Sequence, residues 1–228
     1  MNADDASAST PDELSAAPSE VSGDAQVDGT IRDRLIDVTM EMLASRGEQA
    51  LRVVEVADAA GVSMGTIYTH FENRRALVAA VRLEQYRRWM LESLRQIREA
   101  LDGLDGPSGA VGTLGQLVIR PDDALYRSHR ELRIDAIAAS HHEPELAEEM
   151  RQLQREMNVL AQDLVRRAQS LGIIDPAIDA AAMALLLQAV PMGLVIADLD
   201  PVSAPTGDAW VELLVRVGAA LMGTPSAD

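Results

Sequence analysis

Apolar residues recur at three- and four-residue spacing along nearly the whole chain, and no stretch alternates apolar with polar as a half-buried strand would. The pattern predicts an all-α fold. Ile31, Leu35, Val38 and Met42 form the stripe of a first helix, which Thr30 opens with Asp33 in capping-box spacing and Gly47 closes. Two short helices lie between Val53 and Phe71. Asn73 then caps a long helix to about Leu101, with Leu77, Val81, Trp89, Met90, Leu94 and Ile97 on its buried side. Gly103, Gly106 and Pro107 break it. Residues 108–119 are apolar and punctuated by Gly, and a helix starting at Pro121-Asp122 reaches about His141. Pro144 opens a long helix through Ser170, striped by Leu146, Met150, Leu153, Met157, Leu160 and Leu164. Asp175-Pro176 reads as another start, with Pro where its missing N–H does no harm. Ala180 to Ala197 is apolar nearly all round, Asp200 to Pro205 is a Pro-rich loop, and a last helix carries Trp210, Leu213, Leu214, Val217 and Leu221.

The stretch Val53–Phe71, VVEVADAAGVSMGTIYTHF, organises the rest. Val54, Val56, Ala57 and Ala60 are small or branched residues at helical spacing, Gly61 interrupts them, and Val62-Ser63 opens a second helix. In a helix-turn-helix the two helices cross closely, so Ala57 must be small. The turn needs a residue that accepts positive φ, which Gly61 supplies, and Val62 and Ile67 anchor the inner face of the second helix. Met64, Thr66, Tyr68 and Thr69 are then left for the outer face, which in this motif enters the major groove of DNA. The spacing alone also fits an ordinary helical hairpin inside a core.

A helix apolar on every side must be covered on every side. Two such helices at the end of a chain of this size predict a twofold dimer, a four-helix bundle from the last two helices of each copy; the other reading is that they form the core of one copy.

Charge changes this picture in one respect. The formal net charge is −16, which by itself argues against nucleic-acid binding. It is unevenly placed: residues 1–29 hold seven acids and no base, residues 30–82 seven Arg and seven acids, and the remainder thirteen Arg and twenty-two acids. The segment with the motif is thus the least acidic. Residues 1–29 have few sizeable apolar side chains and read as a disordered acidic tail. All twenty basic residues are Arg. The absence of Cys rules out disulfides and thiolate chemistry. The acidic N-terminus lacks the apolar core expected of a secretory signal, and the sequence reads as having no run of about eighteen apolar residues, so no segment is expected to span a membrane. A soluble cytoplasmic protein is the expectation.

Residues 31–77 resemble the DNA-binding domain of the TetR family of transcriptional regulators. The resemblance rests on the first helix ending in Arg46-Gly47, on Gly61-Val62-Ser63 followed by Gly65-Thr66-Ile67-Tyr68 and His70-Phe71, and on the run ENRRAL after it. It implies a three-helix DNA-binding head, a helical effector-binding body and a homodimer. The implied organisation is a tail over 1–29, the head over 30–76, an effector-binding and dimerisation domain over 77–222 and a disordered end over 223–228. Carried onto this chain, Thr66, Tyr68, His70 and Arg74 approach phosphates, and Ser63, Met64 and Thr69 face base edges. Arg52 stands where a capping Thr or Ser is common, leaving that cap in doubt but a phosphate within reach. Met64 stands where Lys or Arg is common, so this recognition helix lacks the cation that usually reads guanine.

Tyr126, His129, Arg130 and Arg133 lie at helical spacing, either as a solvated face or as a polar handle inside a ligand cavity. With Trp89, Met157 and Met183 they make up the expected effector site. His129, His141 and His142 with Glu143 and Glu145 have the donor types of a metal site, but adjacent His141 and His142 cannot both face one point on a helix, so no metal is expected. No phosphate loop or nucleophile signature is present, and neither a catalytic residue nor a cofactor is assigned. The expected protein is a dimeric, ligand-responsive regulator, a repressor released from a palindromic double-stranded DNA operator by a small, largely apolar effector. The competing reading is an all-α small-molecule-binding protein or enzyme whose helix-turn-helix no longer binds DNA.

Overall fold

The computed structural model describes residues 21–106, 110, 120–141 and 143–221. They form helices α1 (Val21–Arg46), α2 (Val53–Ala60), α3 (Met64–His70), α4 (Arg74–Asp102), α5 (Ala124–Ser140), α6 (Pro144–Ser170), α7 (Ala180–Gly193), α8 (Val195–Leu199) and α9 (Gly207–Leu221), with a 3-10 turn at Glu48–Ala50 after α1. No strand occurs among the described residues.

Helices α1 to α3 and the first two turns of α4 enclose one core, built on Leu35, Val56, Ala57, Ile67, Phe71 and Leu77. The small side chain at Ala57 and the anchor at Ile67 are both buried there, as the motif requires. Gly61 sits at φ 66° and ψ 36°, and its N–H closes the end of α2. Val54, by contrast, faces solvent. Asn73 caps α4 by accepting from the Ala76 amide at 3.0 Å. The head core continues along α4 to Val81, so the division at residues 76 and 77 falls inside a helix that both parts share. Farther along, the same helix supplies Ala79, Leu83 and Tyr86 to a second core with Ala136 of α5 and Met157 of α6. Two smaller clusters lie beyond, one around Leu101 and Leu164, one joining Val165 of α6 to Met183 of α7.

Four expectations need correction. The first helix starts at Val21, so residues 21–29 are helical and Thr30 lies within the helix instead of capping it. The segment, with two Gly and two Asp among nine residues, has little helix propensity of its own and continues a helix nucleated where α1 is held by the head core. Residues 1–20, 108–119 apart from Ala110, and 223–228 lie outside the described residues. Asp175-Pro176 forms a turn, and the helix start is Asp179, which accepts from the Ala182 amide at 2.8 Å. The apolar stretch from Ala180 breaks at Leu194, because Pro191 lacks an N–H and crowds the preceding turn. Finally, Ala180–Leu199 has a mean hydropathy of 2.1 and is long and apolar enough to cross a membrane by length and composition alone. Only 17% of it is buried, and its last turn is tied to α5 through Asp198.

The positive φ at Gly61 makes a stability prediction. A Cβ there would meet nothing within 4 Å, so Gly61→Ala incurs the backbone penalty alone, about 1 kcal/mol. The thermal midpoint should fall by about 2–4 °C, and less for Gly61→Asn, which tolerates the left-handed region. Circular-dichroism melts of both variants check this.

Candidate DNA face and interior polar site

Ser63 caps α3: its Oγ accepts from the Thr66 amide at 3.0 Å and shares a 2.9 Å hydrogen bond with Thr66 Oγ1. Thr69 Oγ1 donates back to the Gly65 carbonyl at 3.1 Å. The three hydroxyls expected on the DNA side are therefore all engaged within their own helix, while the Tyr68 side chain is half exposed. His70 lies beside Phe71, with ring centroids 6.4 Å apart. Met64 is half-buried and packs against the head core, so its side chain is only partly on the outer face. A residue at the first position of so short a helix still reaches back over the Ser63 turn, which the spacing of the motif does not reveal.

Arg74, expected to approach a phosphate, is bonded within the head. Its Nε donates to the Leu51 carbonyl at 3.2 Å, its Nη2 donates to the Glu48 carbonyl, and Nη1 lies 3.8 Å from Glu48 Oε1. The guanidinium clamps the 3-10 turn to the start of α4. Arg52 and Arg75 are exposed, and neither has an ion pair among the described residues. Arg52 stands at the N-cap of α2 without a side-chain cap bond. Arg75 was missed by sequence reasoning because it adjoins the position at which the resemblance puts its cation.

In the body, the expected effector residues fall into two groups. Trp89 stacks on His129 with centroids 4.3 Å apart and planes 15° apart, and Tyr126 meets Trp89 edge-on at 6.1 Å. Arg133 lies over the Tyr86 ring at 5.3 Å and donates to Gln154 Oε1 at 3.3 Å. Met157 is part of the same core as Trp89. Met183 is not: it packs with Ala161 and Val165 in a separate cluster.

Arg130 is 4% exposed, which removes the solvated-face reading for this residue. Its Nε and Nη2 donate to the two carboxylate oxygens of Asp198 at 2.7 and 2.6 Å, and Arg127 Nε reaches the same carboxylate at 3.0 Å. The Arg130 contact, followed by that of Arg127, holds the Asp198 carboxyl below the usual range against the opposing effect of burial. Asp198 was not legible as a site residue, because it lies 68 positions from its partner. Among the described residues, two buried side-chain polar atoms lack any hydrogen-bond partner, Arg130 Nη1 and His129 Nδ1. Burial lowers the His129 pKa from its usual value, against the opposing pull of the Asp123 carboxylate, which favours the neutral ring.

His141 Nδ1 is bonded to the Ile137 carbonyl at 2.8 Å, and His142 lies outside the described residues. No group of three His, Cys, Asp or Glu among the described residues could hold a metal ion. An open depression of about 540 Å³ lies along Ile134, Ile137 and Ala138 of α5 and His141 just past its end, and it contains none of the expected effector residues.

Residues 35–81 match the family model described as bacterial regulatory proteins, tetR family, and residues 117–220 match that described as BetI-type transcriptional repressor, C-terminal. The HTH-type transcriptional repressor KstR2 of Mycolicibacterium smegmatis is 34% identical over 65 residues, 28% of this chain and 31% of that protein. The chain thus matches less than a third of the length of this curated relative. Among solved structures, GusR of Salmonella enterica aligns with a TM-score of 0.52 at 22% identity, covering 85% of this chain and 95% of the other. A transcriptional regulator from Rhodococcus sp. Rha1 aligns with a TM-score of 0.51 at 22% identity, covering 84% and 95%. These two likenesses concern the fold.

The Ser63 cap makes a prediction that separates its local role from any other. Ser63→Ala leaves the Thr66 amide without its acceptor and should cost about 1 kcal/mol, whereas Ser63→Asp should retain the cap and the melting midpoint. Thermal melts of the pair would contradict the assignment if both variants fell equally.

Proposed function

The chain belongs to the TetR family of bacterial regulatory proteins, and from that premise we propose that it is a cytoplasmic transcriptional repressor, released from a palindromic operator by a small, largely apolar effector. The observation that carries this reading is the head itself: α2, the left-handed Gly61 and the capped α3 form a helix-turn-helix joined without interruption to the body through α4. Arg52 and Arg75 supply phosphate contacts, Tyr68 and His70 lie along the backbone, and Ser63, Thr66, Thr69 and the exposed part of Met64 approach the bases. Arg74 orients the 3-10 turn that precedes α2, a positioning role that replaces the phosphate contact first expected of it.

The second copy belongs on α7 and α9. Leu185 and Leu187 on α7 are 67% and 55% exposed, and Leu213 and Val217 on α9 are also exposed. Helix α9 makes only sparse contact with other described elements. An isologous bundle of these helices covers the apolar surface and sets two heads about 34–36 Å apart, one helical turn of DNA. The effector lies between α4, α5 and α6, beside Trp89, Tyr126, His129 and Arg130, with Arg133 and Met157 close by; Met183 joins α6 to the dimer helix.

The competing reading, an all-α binding protein or enzyme with a silent head, is favoured by two observations: α3 carries no Arg or Lys, and Arg74 is occupied by main-chain carbonyls. Gel shift with the DNA upstream of the protein's own gene discriminates the two. Absence of a retarded complex at low salt would favour the silent head. Where a complex forms, Arg52→Ala and Arg75→Ala should each weaken binding to all duplexes alike and lower the salt slope by about one unit per half-site. Loss of specific binding with an unchanged slope would remove these two side chains from the phosphates.

For the dimer, Leu187→Glu and Leu213→Glu each place an unpaired carboxylate in the bundle, at a cost of several kcal/mol if it stays buried. Sedimentation should show monomer or aggregate while the head still melts as a helical unit. An intact dimer in both variants would put the interface elsewhere.

A further inference from the structure

Around the buried Arg130 this acidic protein gathers a small excess of positive charge, three guanidiniums against the carboxylates of Asp198 and, near His129 and Tyr126, Asp123. Arg127 and Arg130 share the single carboxylate of Asp198, and Arg133, one turn farther along α5, has no carboxylate partner among the described residues and is held by Gln154 and the Tyr86 ring. Within this group Arg130 is nearly inaccessible, and its Nη1 amino group has no acceptor. A buried guanidinium nitrogen left without an acceptor is costly, so the arrangement is complete only when an oxygen arrives. The neighbouring residue His129 offers a second buried nitrogen without a partner, and its ring is stacked on Trp89 with Tyr126 at the edge.

Resting on the reading of this body as an effector site, we infer that Arg130 and His129 on α5 form an anion seat for the carboxylate of a small planar acid whose apolar part lies against Trp89 and Tyr126. One carboxylate oxygen accepts from Arg130 Nη1. The other accepts from His129 Nδ1, which selects the tautomer protonated there. The donor set decides against other chemistries. The Nε–Nη2 side of Arg130, the fork that grips a phosphate in bidentate fashion, is already filled by Asp198, and what remains serves two oxygens, not three. The aromatic rings could also attract a quaternary ammonium through their faces, but the surplus positive charge of Arg127, Arg130 and Arg133 opposes a cation. A neutral amide would satisfy one donor and leave the charge unbalanced.

Trp89 reports on the seat. The chain has two Trp, so Trp210→Phe leaves Trp89 as the sole indole reporter. The full-length Trp210→Phe protein is titrated with benzoate, phenylacetate and 4-phenylbutyrate, and in parallel with benzamide, choline and inorganic phosphate. At least one carboxylate should change Trp89 emission saturably, and the last three should not at the same concentrations. Arg130→Lys keeps a cation for Asp198 but removes the Nη1 donor, and should weaken the carboxylate about tenfold or more. Asp198→Asn frees the fork of Arg130 and should strengthen it several-fold, a gain that a purely structural pair would not give. The seat is refuted by the absence of saturable binding for all three carboxylates. Equal affinity for benzamide or choline refutes it as well, as does unchanged affinity in a folded Arg130→Lys protein. Operator release is read separately. Arg130-dependent carboxylate binding that leaves DNA affinity unchanged keeps the seat and removes its role as effector site. Release by an uncharged compound in both wild type and Arg130→Lys keeps an effector site and removes the seat.

Discussion

The continuity of α4 is the constraint on which the other parts depend. Its first two turns belong to the head core through Leu77 and Val81, and the next two to the body core through Leu83 and Tyr86. A helix with an unbroken hydrogen-bond ladder cannot take up relative motion of its two ends by bending at a joint, since it has no Pro or Gly along its 29 residues. Whatever moves the body half of α4 therefore moves the seat of α3. Charged groups gather at the handover between the cores. Arg82 bridges Glu48 of the 3-10 turn and Asp135 of α5, Arg88 reaches Asp37 of α1, and Arg32 of α1 reaches Glu149 of α6. Those pairs are all solvent-accessible, worth about 0–1 kcal/mol each, so they fix orientation more than they add stability.

Much of this was legible in the sequence because it depends on local chemistry. Ala57, Gly61 and Ile67 announce a close helix crossing, a left-handed turn and an anchor, all within eleven residues, and the structure places each accordingly. Asn73 and Pro144 mark the starts of long helices for equally local reasons. What escaped was set by tertiary contact. Nothing near Asp198 indicates a partner on α5, and nothing near Arg74 indicates that carbonyls more than twenty residues earlier will occupy it. The start of α1 was missed in the same way: a polar segment with two Gly looks unstructured until the helix it extends is seen to be pinned by Leu35 and Ile36. The break at Leu194 is the exception. Pro191 and Gly193 announce it, and the continuous apolar run around them drew attention away.

The distribution of charge separates two tasks that pull against each other. A net −16 repels polyanions, yet the proposed DNA contacts and the proposed anion seat both need local positive potential. The head meets its requirement at neutrality, by leaving Arg52 and Arg75 without carboxylate partners while Arg46 and Arg82 are paired. The body does so by burial. Arg130 is removed from water beside one carboxylate that it shares with Arg127, and in a medium of low dielectric constant the unbalanced charge there is felt more strongly than the many exposed acids outside.

On the proposed reading, magnitudes decide how an effector could reach the DNA face. Coupling between two sites is usually about 1–3 kcal/mol. Loss of a single exposed pair such as Arg82–Asp135 supplies at most the lower end of that range. The buried pair of Arg130 with Asp198 is a different matter, because removing one partner of such a pair costs about 3–5 kcal/mol. It also joins α5 to the short helix that follows α7, which puts this buried pair between the ring cluster and the apolar helix proposed to meet the second copy. A ligand anion at Nη1 of Arg130 shares with Asp198 the one positive charge of that guanidinium, and whatever hold Asp198 loses is felt in α8 and α7 before it is felt in the head. The signal then changes the relation between the two copies first. The heads follow because α4 lets neither end move alone.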